Sequence, residues 1–280
     1  MGIGALRIGL LGGLVAIVAS AQTTVVIRSG PLPSPQEIAA LESYVLQNPD
    51  DLDAQRQLLQ VYANIAPLPG HDDPVRRSVR LQHILYLVEH HPEATVSGSR
   101  AAYVGRMAGA YENAGDHEAV REQWLAAVAG HPKGKAVTTN AVNFLEVEDP
   151  DDAEQVMRRA VDAEPENREL AANLGFLYAT EIKGPDLLLR GRSPATLGRE
   201  RPLHAMAELE QSSNAVVLAA AGTALSNLAK SFDSVNGTML ELAEKLLARA
   251  RELAPDDPDI QGPMPLIKYF AAAQSPNGRR

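Results

Sequence analysis

The feature of this chain that most constrains its fold is an internal period. Tyr111, Val120, Trp124, Ala127 and Pro132 return as Phe144, Ala153, Met157, Ala160 and Pro165, each 33 residues on, and Asp116 returns as Asp149. A fixed period of this length marks one supersecondary unit that buries its apolar face only by stacking on its neighbours. The spacing predicts a helix over Ala101 to Asn113, with Val104, Met107, Ala108 and Tyr111 three and four residues apart on one face. Gly115 is expected to close that helix and Asp116 to cap the next. The next helix carries Val120, Trp124, Ala127 and Val128 and stops before Pro132. In the following copy Pro150, with its fixed φ and missing N–H, suits a first helical turn. Each unit thus reads as a helical hairpin with a tight turn. Alanines at 108, 127, 141 and 160 let the paired helices approach closely.

The pattern continues on both sides. Leu174-Gly175-Phe176-Leu177-Tyr178 falls 34 residues after Asn140-Ala141 and Phe144. Ala243, Leu247, Ala250 and Pro255 repeat the second-helix spacing, as do Leu41, Tyr44 and Pro49. Leu58, Leu59 and Tyr62 begin a first helix whose partner carries Ile84, Leu87 and Pro92. The composition agrees with helices: 45% of residues are hydrophobic but only 4% aromatic, which suits packing through small side chains better than sheets.

These residues resemble the tetratricopeptide repeat, a helix–turn–helix unit of about 34 residues with a Leu-Gly-x-x-Tyr … Ala … Phe … Pro pattern. The resemblance implies an all-α fold, a right-handed α-solenoid of antiparallel helical hairpins. It covers residues 36–259 as about five hairpins, with an interruption at 180–201. Ala66–Pro74 lengthens the first turn, Glu93–Arg100 loosens the next connection, and residues 260–280 are expected to form a capping helix and tail.

Residues 1–21 read as a secretory signal: a short start ending in Arg7, an apolar run of about 14 residues, and Ala19-Ser20-Ala21 as the exit. That run is short of the roughly 20 residues a membrane-spanning helix needs. Cleavage after Ala21 would leave no stable membrane span and an exported protein, periplasmic or extracellular. Residues 22–35, with three prolines, read as a linker. The chain has no cysteine, which removes disulfides, thiolate metal sites and cysteine nucleophiles. Its formal net charge of −9 and the lack of a basic stripe argue against nucleic acid and against anionic membrane surfaces.

In the family that these residues resemble, the first helices line a concave groove that binds segments of other proteins. The matching outward positions are Arg56, Gln60 and Asn64, then Arg106 and Asn113, then Lys135 and Thr139, and last Asn173 and Phe176. Their cations and amides could hold a peptide through charge-assisted hydrogen bonds. The partner expected is therefore a protein or peptide. No metal site is expected. His83, His90 and His91 lie near Glu89 without a completed ligand set, and His117-Glu118 is not followed by a histidine at metal-binding spacing. No cofactor is expected either, because Gly130–Lys135 lacks the length and hydroxyl of a phosphate loop. No nucleophile elbow occurs. The acidic pairs Asp50-Asp51, Asp151-Asp152 and Asp256-Asp257 sit at helix starts, where they complement the dipole. The function expected is a non-catalytic protein-interaction scaffold. The alternatives are an envelope assembly or transport factor held near the membrane, and an enzyme with residues 180–201 as lid over a groove site, for which the segment's lone Glu181, Asp186 and Glu200 form no convergent set.

Overall fold

The structure, a computed structural model, describes residues 33–65, 74–106, 113–183, 200–230 and 237–262. The signal segment, almost all of the linker, the long first turn, most of the 180–201 interruption and most of the expected capping helix and tail lie outside the described residues. The described chain is all-helical. Its helices are α1 (Pro35–Gln47), α2 (Leu52–Ile65), α3 (Pro74–His90), α4 (Ala114–Gly130), α5 (Lys135–Leu145) and α6 (Pro150–Ala163), then α7 (Arg168–Lys183), α8 (Glu200–Gln211), α9 (Ala215–Lys230), α10 (Gly237–Leu253) and α11 (Pro258–Gln261). No helix among the described residues is long and apolar enough to cross a membrane.

Local chemistry sets the helix ends. Ser34 and Glu37 form a reciprocal capping box at α1, whose first residue is Pro35; the expected linker therefore ends one residue early. Asp51 caps α2 by accepting the Ala54 N–H at 3.0 Å. Pro150 opens α6 at its first position.

Packing runs along the chain. Each helix from α1 to α7 packs against the next, α9 packs chiefly against α7 and α10, and α11 closes on both α9 and α10. One apolar cluster extends from Ile38 to Ile260. The periodic residues supply its centre: Trp124 on α4, Phe144 on α5, Met157 on α6 and Tyr178 on α7 are all buried. Truncating an aromatic side chain of this kind typically costs about 3–5 kcal/mol. Gly175 marks a close approach between two helices. A methyl group placed there would overlap the Val217 carbonyl oxygen and lie 3.0 Å from Ala220 Cβ and Ala221 N on α9. Here the lack of a side chain is what allows α7 and α9 to touch.

The expected helix over Ala101–Asn113 is corrected across its described part. Residues 100–102 form one short turn of 3-10 helix, and Tyr103 after it is extended. Side chains from other elements hold this segment outside a helix. Buried Arg80 of α3 donates to the carbonyls of Ala101 and Tyr103 at 2.9 and 2.7 Å. The carbonyl of Val104 accepts from the His117 ring at 2.6 Å. Asn113, not Asp116, caps α4: its side chain accepts the N–H groups of Gly115 and Asp116, so Gly115 lies inside the helix that it was expected to precede. An asparagine two residues before the glycine satisfies the orphan donors sooner than Asp116 could.

Candidate functional site

Three groupings of polar side chains stand out. The first is the outward side of α5 and α7. Lys135 at the start of α5 pairs with Glu169 at the start of α7, 2.7 Å apart. These positions are 34 residues apart, so they are equivalent places in successive units. Behind them Thr139 of α5 and Asn173 and Phe176 of α7 are half-buried. Arg56, Gln60 and Asn64 are exposed along α2, where Arg56 pairs with Asp53 at 3.0 Å.

Arg106 and Asn113 do not belong to this set. Arg106 lies at a bend, its N–H donates to Glu148 Oε2 at 2.8 Å, and its guanidinium binds the Glu148 carbonyl and the Asp149 carboxylate. Asn113 is consumed as the α4 cap. Both were placed on an outward helix face by a helix that does not form there.

The second grouping surrounds His117, which is fully buried near the start of α4 and stacks on Phe144 with ring centres 5.0 Å apart. Nδ1 meets the Val104 carbonyl and Nε2 meets Asp149 Oδ2, each at 2.6 Å. Glu148, Arg106, Glu118, Arg121 and Asp152 complete the network. Burial depresses the ring's basicity, but the bonds to Asp149 and Val104 outweigh it and hold the ring above its ordinary value of 6.5. Burial likewise raises Asp149, yet its bonds to His117 and Arg106 leave it below the usual carboxylate value.

The third grouping joins α6, α7 and α8. Glu154 has a side chain only 7% exposed. It accepts from the Tyr178 hydroxyl at 3.0 Å, from His204 Nε2 at 2.9 Å, from Arg158 at 3.2 Å and from Arg201 at 3.2 Å. Arg158 also binds Glu208 at 2.6 Å, and Arg201 binds Glu181. Burial pushes Glu181 up to about 7, against the pull of Arg201. Glu146 is also at about 7, driven first by burial and then by the charge of Glu181. A cleft of about 370 Å³ opens beside Glu154, Arg158 and His204.

Glu154, His204 and Glu208 bring three potential ligand atoms within 4.8 Å of one another. A guanidinium nitrogen of Arg158 reaches both carboxylates, so the cation between them is the protein's own. The cluster is chemically a neutralised ion network that ties three helices together.

Neither the His117 nor the Glu154 network was assembled by sequence reasoning. The available signals were the i, i+4 pair Glu154–Arg158 and the tyrosine of the Leu-Gly-x-x-Tyr motif, whose hydroxyl needs a buried partner. Comparison with protein-family models and with curated proteins finds no match to this chain.

Proposed function

We propose that this protein is an exported, non-catalytic scaffold of tetratricopeptide type that holds a polypeptide along the outward side of its first helices. The Lys135–Glu169 pair carries the reading: side chains at equivalent positions of successive units meet, Nζ to Oε2, at 2.7 Å, as expected if the hairpins stack as an α-solenoid. Further pairs join helices on the other side of the hairpins, Arg121–Asp152 between α4 and α6, Arg158–Glu208 between α6 and α8, and Lys245–Glu210 between α8 and α10. The contact of α7 with α9 at Gly175 supports the same alternation. A stack of this kind presents a continuous wall made by α5 and α7, with Thr139, Asn173 and Phe176 offering hydroxyl, amide and aromatic contacts to an extended chain. The N-terminal signal layout supports export.

The test is a photo-reactive residue placed singly at 139, 173 or 176, and at the exposed positions 155 and 159 of α6 as controls. After irradiation in cells, the first three are expected to yield a shared polypeptide adduct that the α6 positions do not. Equal labelling from both sides, or none from either, refutes the reading.

A further inference from the structure

The segment 100–106 follows the N-terminal helices and is held by side chains from three other elements. From α3, Arg80 grips the carbonyls of Ala101 and Tyr103. From α4, His117 grips the Val104 carbonyl. From the α5–α6 turn, Glu148 and Asp149 grip Arg106. His117 differs from the others because its bonding depends on a proton. A carbonyl and a carboxylate only accept hydrogen bonds, so ring nitrogens at 2.6 Å from each must both carry hydrogen. The ring in this geometry is an imidazolium, buried and flanked by Phe144. A neutral ring keeps one N–H, and the Asp149 carboxylate is the stronger acceptor, so the proton that leaves is the one facing the Val104 carbonyl and that bond is lost.

We propose that His117 is a proton-operated latch: charged, it staples segment 103–106 to α4 and to the α5–α6 turn, and on losing its proton it lets that segment go.

The groups facing the latch come from every element around it. They are Arg106 from the segment, Glu118 and Arg121 from α4, Glu148 and Asp149 from the turn, and Asp152 from α6. From α3, Arg77 faces Asp116 at 3.7 Å beside it. Acceptors dominate next to the ring itself, with Asp149 at 2.6 Å and Glu148 at 3.9 Å, so the charged form is the favoured one. Because the folded ring is more basic than a free one, its stabilisation is complete below the ordinary value of 6.5 and disappears as pH rises through the folded value. Asp149 sets the acid limit: its contribution is present above its ordinary value of 3.8 and fades as pH falls through its lower folded value. Opening the latch removes the α4 attachment of residues 103–106, while Arg80 and the packing of Tyr103 on Phe144 hold the start of the segment and α3 stays packed on α4.

Two backbone amides report the latch directly: Arg106 N–H, bonded to Glu148, and Asn113 N–H, bonded to the Gly105 carbonyl at 3.1 Å. On the full chain, NMR of the histidine ring nitrogens gives the His117 titration, and amide exchange gives protection at 106 and 113 across the same pH range. The expected result is a doubly protonated ring at neutral pH and a loss of protection of about tenfold or more, beyond intrinsic base catalysis, with the same midpoint. Asp149→Asn should move both midpoints down together, and His117→Gln should leave protection low at every pH. A neutral ring at neutral pH overturns the proposal. So does a ring that titrates while protection stays constant, or an Asp149→Asn chain in which neither midpoint moves. Should His117→Gln fail to fold, the wild-type and Asp149→Asn measurements still decide.

Discussion

Replacing Gly175 with alanine tests the packing of the whole central region. The added methyl would meet the Val217 carbonyl oxygen inside contact distance, and Ala220 Cβ and Ala221 N at 3.0 Å, all on α9. Carbon atoms in good contact sit about 3.5–4.0 Å apart, so α7 and α9 must separate by roughly 0.5 Å or more. That shift is costly because α9 is lined there by buried Val217, Leu218 and Ala221, with no loose side chain to absorb it. Overpacking typically costs about 1–3 kcal/mol, and backbone atoms put this site at the upper end. Alanine is the better helix former by about 1 kcal/mol, which offsets part of it. The net expectation is a loss of about 1–2 kcal/mol, seen as a lower urea midpoint by far-UV circular dichroism. Gly130→Ala is the control: nothing lies within 4 Å of a methyl group there, so it should be neutral or stabilise by up to about 1 kcal/mol. A Gly175→Ala protein as stable as the wild type would refute the close approach of α7 and α9.

Three further outcomes can be measured. Glu154→Gln removes the charge shared by Arg158, Arg201, His204 and Tyr178; Arg158 keeps Glu208 and Arg201 keeps Glu181, so the loss in chemical denaturation should be about 1–2 kcal/mol. Glu146 binds a proton more tightly folded than unfolded, so stability falls as pH rises from its ordinary value of 4.5 to about 7. Glu146→Gln should therefore flatten that slope and, at pH above about 7, stabilise the chain relative to the wild type by on the order of 1–2 kcal/mol, read as a higher urea midpoint. Lys135→Glu places like charges at an exposed pair and should change thermal stability by under about 1 kcal/mol, while weakening any polypeptide held across α5 and α7 in a binding titration.

The sequence by itself determined that this chain is helical and where most helices lie. The reason is that the apolar spacing at Val120, Trp124, Ala153 and Met157 and the stops at Pro132 and Pro165 act within a few residues, so they can be read locally. It also placed Gly175 in the repeat through the Leu174–Tyr178 match, though not the helix that it touches. Only tertiary structure decided the fate of residues 101–106. Their spacing is helical, but Arg80 and His117 bind their carbonyls from other helices, and Asn113 starts α4 early. The same holds for the two polar networks. Glu154 meets His204 across 50 residues of chain, and no periodicity records which charged side chains turn inward once α6, α7 and α8 are brought together. Backbone preference and apolar spacing are short-range and legible, whereas the pairing of buried charge depends on distances that exist only after the helices have packed.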